Sequence, residues 1–353
     1  MTTTHLHHVW DYTERDREFW EEHLEEWLPR KITDGHCHVT RPGARREPMT
    51  EEKREQFWVN EVNDPIDAPD TERCIETIFP GREVSCVAMG SPSLDFRIEP
   101  QNEYLARECP KRGWHALALV RPQWDATEVE ALLEQPGIIG LKPYYGLISR
   151  DPSTRDKHIE ADILDYLPHH LLEVANERRA WVTLHVPKTD RLPHPDNIRR
   201  VREIRESYPD ISLVLAHLGR CYTAPHAREG IPPLADDPGL FWDISAVFNP
   251  EVFRITFEHL EPRQIIYGTD NPVFYMRGRR GWDGRQYFNY TSGDFHFNRD
   301  RHEPPEVETE YTLFTYEALR TIKETCREFD LSREEIRAIF HDNAARLIGR
   351  AGG

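Results

Sequence analysis

His36 and His38 stand one residue apart in Lys31-Ile-Thr-Asp-Gly-His-Cys-His-Val39, a short run with strand character. On a strand, residues i and i+2 point to the same side, so the two imidazoles can reach one cation while Cys37 faces away into packing. Three later apolar runs end in similar groups. These are His185 in Trp-Val-Thr-Leu-His-Val, His217 in Leu-Val-Leu-Ala-His-Leu-Gly and Asp270 in Ile-Ile-Tyr-Gly-Thr-Asp-Asn-Pro. Three histidines and a carboxylate make a shell for one divalent cation, with one histidine left for proton transfer. An open position in such a shell can hold a water whose pKa falls from 15.7 to about 7 on zinc.

The elements that must position these groups alternate along the chain. Strands are expected at 31–38, 83–89, 114–120, 138–142, 181–185, 211–217, 240–245 and 264–269, mostly separated by helices such as 99–109, 126–135, 159–178, 195–207 and 250–260. Eight β-then-α units argue for a parallel sheet closed into a (β/α)8 barrel, where functional groups gather at the C-terminal strand ends. His38, His185, His217 and Asp270 all fall there. Residues 1–30 read as an N-terminal helical extension with an amphipathic helix over 14–28, and 31–353 as the barrel domain. Helices near 308–327 and 333–348 close the chain, the last opened by a Ser332/Glu335 capping box. Residues 271–306 are too long for an ordinary βα loop and dense in glycine and aromatics. They are expected to form an ordered lid over the site or a contact in a homo-oligomer, a dimer being the simplest.

Composition narrows the partners. The 353 residues carry 45 basic and 62 acidic side chains, a net charge of -17, which disfavours nucleic acid and anionic membranes. No apolar run approaches the ~18 residues of a membrane span. The N-terminus lacks a basic region followed by an apolar stretch, so no signal peptide is expected. The six cysteines are scattered without a Cys-x-x-Cys pair, as free thiols in a reducing cytoplasm would be. His5, His7 and His8 read as a solvated tail.

Taken together, Asp34-Gly-His36-Cys-His38, Gly140-Leu-Lys142-Pro, Leu184-His185, Ala216-His217-Leu-Gly219, Gly268-Thr-Asp270-Asn-Pro272 and Asn343-Ala-Ala-Arg-Leu347 resemble the amidohydrolase-related family, the branch of the amidohydrolase superfamily that also contains metal-dependent decarboxylases. The resemblance spans roughly residues 31–349. It implies a distorted barrel with one divalent metal, Zn2+ ahead of Mn2+, held by His36, His38, His185 and Asp270. It further implies that His217 is the catalytic or substrate-polarising histidine.

The expected activity is hydrolysis of an ester, lactone or amide in a small, carboxylated substrate, with His217 and Asp270 handling protons. Lys142, Tyr145 and Arg220 are the candidate substrate contacts. Arg220 can clamp a carboxylate, and Asp243 reads as a structural hydrogen-bond acceptor. The alternative is decarboxylation of a hydroxylated or unsaturated acid. Decarboxylases of this branch often carry an acidic residue where Arg220 stands. A metal-containing binding protein is a distant third, since structural zinc sites are usually closed and sulfur-rich.

Overall fold

The computed structural model describes residues 8–62, 65–151, 158–293 and 295–351. Eight parallel strands run in sequence order around a (β/α)8 barrel. They are β1 (Lys31–His38), β2 (Glu83–Met89), β3 (His115–Leu119), β4 (Ile138–Lys142), β5 (Trp181–Leu184), β6 (Ser212–Leu215), β7 (Leu240–Asp243) and β8 (Ile265–Ile266). The segment after β8 closes the ring onto β1. Gly35 N–H donates to Tyr267 O, Asp270 N–H to His36 O and His38 N–H to Asn271 O, at 2.7–2.9 Å. Gly35 is required there, because a Cβ would sit 2.6 Å from Ile266 Cγ2.

Strand periodicity divides the core into two layers. Met89, Leu117, Trp181, Val214, Phe241 and Ile266 fill the barrel interior. Their neighbours Ala88, Ala116, Ala118, Val182, Leu213, Leu215 and Trp242 pack outward among the helices. Cys37 belongs to the outer layer, opposite His36 and His38. β4 departs from strict alternation. Its register shifts next to Ile138, a bulge that sends Ile139 inward, Leu141 outward and Lys142 inward again, toward His36. Ala344 and Leu347 plug the opposite end of the barrel. Asn343 anchors them by donating to the carbonyls of Pro262 and Ile265 at the start of β8.

The helices follow local rules with three departures. Ser332 and Glu335 form the expected capping box. The N-terminal helix runs only over residues 14–24, its last turn π-helical, and Trp27 and Leu28 lie beyond it. Its aromatics pack on the barrel's own closing helix: Phe19 stacks on Tyr316 with centroids 5.9 Å apart, and Tyr12 and Tyr316 share a 2.8 Å hydrogen bond. The single helix expected over 159–178 is two, Ile163–Tyr166 and His169–Glu177, because Pro168 interrupts the backbone ladder. The helix expected near 308–327 is Phe314–Glu328, preceded by the single turn Pro305–Glu308.

Residues 271–306 hold a β-hairpin that no strand expectation covered, β9 (Gly278–Asp283) and β10 (Gln286–Thr291). Its two-residue loop is Gly284-Arg285, with Gly284 at φ +54° supplying the left-handed first residue that such a loop takes. No helix among the described residues is long and apolar enough to cross a membrane. His5 and His7 lie outside the described residues.

Candidate metal centre

The C-terminal strand ends converge on a cavity of roughly 410 Å³. Nitrogen and oxygen atoms of His36, His38 and Asp270 lie within 4.8 Å of one another at its base. Asp270 Oδ1 is 3.5 Å from His36 Nε2 and 3.3 Å from His38 Nε2. Asp270 reaches this position through a left-handed backbone, φ +58°, the kind of strain that persists where the surroundings over-determine it.

Each imidazole is oriented from behind. His36 Nδ1 lies 2.5 Å from Asp243 Oδ2, and His38 Nδ1 lies 3.0 Å from the carbonyl of Gly90. His217 Nδ1 meets Ser245 Oγ at 2.9 Å and Ser245 O at 3.1 Å. Carbonyls and an ionised carboxylate only accept, so Nδ1 carries the proton in all three rings and Nε2 keeps its lone pair. Ser245 Oγ donates to Asp243 Oδ2 at 2.9 Å, so one carboxylate oxygen receives both the His36 ring and the hydroxyl that receives His217.

Electrostatics reinforce this assignment. Burial, aided by the Lys142 charge, holds the His36 imidazole down to about 3, so it is neutral. Burial likewise depresses His217 and, together with Arg220, His185. For Asp270, burial acts to raise the carboxyl, but His217, His38 and His36 outweigh it and keep it below the ordinary range. The Nε2 lone pair of neutral His36 therefore faces a carboxylate oxygen with no proton between them. A divalent cation resolves that acceptor–acceptor conflict, and neutral imidazoles backed by a carboxylate or carbonyl are what such a cation binds. The donor set fits the group.

The other expected residues are placed as follows. His185 lines the cavity with its ring 5.4 Å from that of His217, and its buried Nδ1 has no hydrogen-bond partner. It does not join the group of atoms within 4.8 Å. The His36 and His217 rings stack at 4.7 Å. Lys142 Nζ lies 3.4 Å from His36 Nε2, and burial pushes it down to about 8. Tyr145 stacks on Tyr144 at 4.5 Å along one wall. Arg220 lines the cavity while its Nη1 donates to the carbonyls of Val186 and Lys188, at 3.2 and 2.9 Å. Two lining arginines were not anticipated from sequence, Arg191 and Arg280.

A family sequence model described as Amidohydrolase matches residues 33–350. The chain belongs to that family. Members of this amidohydrolase family are enzymes that bind a divalent metal. No curated protein sequence matches the chain. Among solved structures it is similar to a probable 2-pyrone-4,6-dicarboxylic acid hydrolase of Acinetobacter baumannii with citric acid bound (15% identity, 90% of this chain and 99% of that chain covered, TM-score 0.55). It is similar to 5-carboxyvanillate decarboxylase of Sphingomonas paucimobilis (14%, 91% and 99%, TM-score 0.51). A dihydroxybenzoic acid decarboxylase of Polaromonas sp. JS666 with bound manganese and an inhibitor, 2-nitroresorcinol, is also similar (13%, 91% and 97%, TM-score 0.50). At these identities the amidohydrolase likeness is one of fold.

Proposed function

We propose that this chain is a metal-dependent hydrolase that opens an ester, lactone or amide bond in a small, carboxylated substrate. The observation that carries the reading is the common orientation of three imidazoles. Their Nδ1 atoms are tied to acceptors, so His36 and His38 turn Nε2 toward Asp270 and His217 keeps Nε2 for proton transfer.

His36, His38 and Asp270 would hold the cation, with His185 as a further donor. Zn2+ suits this nitrogen-rich set, and Mn2+ is the alternative. Such a cation supplies Lewis acidity toward a carbonyl or water oxygen. The chain's own residues do the rest. His217 Nε2 takes a proton from the attacking water and returns it to the leaving oxygen or nitrogen, steadied by its Nδ1–H on Ser245. Asp270, held ionised, is a second proton acceptor. Lys142, Tyr145 and Arg220 orient the acid.

One observation favours the decarboxylase reading as runner-up. The cavity walls are aromatic, with Tyr144, Tyr145, Tyr222, Tyr287, Trp58 and Phe274 suited to a flat unsaturated acid. Arg220 counts against it, since a guanidinium exchanges no proton near neutral pH.

Metal analysis of protein purified without chelator should give about one equivalent per chain. Full occupancy in a His36→Ala, Asp270→Ala double variant would overturn the ligand assignment. A panel of lactones, esters, amides and hydroxylated aromatic acids should show turnover of the first three classes without carbon dioxide. Carbon dioxide from the aromatic acids alone would transfer the reaction to the decarboxylase reading.

A further inference from the structure

Four basic side chains line the cavity, Lys142, Arg191, Arg220 and Arg280, against one carboxylate, Asp270. None of the three arginines makes an ion pair among the described residues, although the chain holds 62 acidic residues. Partly buried arginines elsewhere, Arg200 and Arg205, do find carboxylates, Asp162 and Asp237.

Arg280 is the most exacting case. It sits on β9 and is only 6% exposed. Its Nε donates to Asn289 Oδ1 across the hairpin and its Nη1 to Ala246 O after β7, both at 2.9 Å. Those bonds fix the guanidinium plane and leave Nη2, which is buried and has no partner. Tyr287 and Phe248 lie 4.2 and 4.6 Å from its centre. Ring faces soften the burial of a cation but do not replace a counter-ion, and burial pulls this arginine below its ordinary pKa. Arg191 approaches the same Tyr287 ring, 6.0 Å from its centroid, and Tyr222 at 5.1 Å. Its Nη1 donates to His226 Nδ1 at 3.3 Å, a neutral partner. Two uncompensated guanidiniums thus flank one tyrosine, while Lys142 stands apart beside His36.

We infer that Arg280 and Arg191 form an anion subsite separate from the metal centre, so that the substrate is a dianion, an acid with a second carboxylate received by Arg280 Nη2. This deepens the functional reading above and rests on it in one respect, that the cavity is the substrate site. The hairpin then sets specificity, because it delivers the fork that selects two-charge substrates over one-charge ones.

The test is calorimetric binding to the metal-loaded protein, which needs no turnover. Malonate, glutarate, phthalate and isophthalate are each matched with a monocarboxylate of the same skeleton. At least one dicarboxylate should bind on the order of tenfold or more tighter than its partner, as a charged hydrogen bond to a buried fork allows. Arg280→Gln should abolish that advantage while leaving monocarboxylate binding and metal content within about twofold, a change worth no more than a few tenths of a kcal/mol. Arg191→Gln should reduce it, and serves as the second variant if the first does not fold. The wild type also reports alone, through a larger thermal shift with the preferred dicarboxylate. No advantage for any dicarboxylate in the wild type, or an advantage that survives both substitutions, overturns the inference and leaves hydrolysis standing. A dicarboxylate preference with no hydrolysis of any ester, lactone or amide overturns the hydrolase reading and leaves the subsite standing.

Discussion

The carboxylate of Asp243 holds Nδ1 of His36 at 2.5 Å, and both groups are fully buried. This places a proton-accepting oxygen behind a ring whose other nitrogen faces Asp270. Burial works against ionising Asp243, but His36 and its neighbours outweigh that and keep the carboxyl charged. It therefore fixes the tautomer and raises the donor strength of the ring.

Asp243→Asn should weaken metal binding by about 10- to 100-fold, the usual cost of losing such an outer partner. Competition with a chelator of known affinity measures this. Unchanged affinity would show that His36 is oriented by other contacts.

His217→Asn should lower kcat by about 10²–10⁴-fold while metal content is retained, the size of a general acid–base contribution. Ser245→Ala should produce a smaller loss, since Ser245 O still receives Nδ1. Metal lost together with activity in His217→Asn would reassign the ring as a ligand.

His226 gives the fold an acid-sensitive element away from the metal. Its buried Nδ1 is shared as acceptor by Thr223 Oγ1 at 2.8 Å and Arg191 Nη1 at 3.3 Å, and burial, aided by the Arg191 charge, holds the ring down to about 4. The unfolded ring titrates near 6.5, so the folded state excludes a proton that the unfolded state binds. Its contribution is fully present above pH 6.5 and is lost as pH falls from there toward 4, by up to about 1.4 kcal/mol per unit. Denaturation midpoints across that window should flatten in His226→Asn, which keeps an acceptor but cannot be protonated. An identical acid limb would contradict the assignment.

Gly140→Ala should destabilise the barrel severely, because a Cβ there would collide with the backbone carbonyl of Trp181 on β5. Overpacking of this kind costs about 1–3 kcal/mol where side chains can move, and a backbone neighbour cannot move as freely. Denaturant unfolding gives the measure, and near-wild-type stability would mean that β4 and β5 separate without penalty.

The eight strands, the order of the units and the ligand-type side chains at their ends were legible in the chain alone. Those features are local. An apolar run of four to eight residues bounded by turns needs no distant partner to be read, and an i, i+2 pair on a strand shares a face whatever surrounds it. The hairpin in 271–306 was not read from sequence, because the single glycine at its Gly284-Arg285 loop is one of several in that segment. Which side chains meet follows from long-range packing that no local pattern encodes. Asp243 lies 207 residues from His36, and Arg280 is buried against Ala246 from a different βα connection. His185 sits at the expected strand end, yet its ring packs against Tyr144 at 4.9 Å, outside the tight group of His36, His38 and Asp270. Whether an arginine is solvated or buried without a counter-ion depends on what closes over it. Burial is set by chain segments that sequence spacing does not relate, which is why Arg191 and Arg280, unlike the strand-end Lys142 and Arg220, had no signature in the chain.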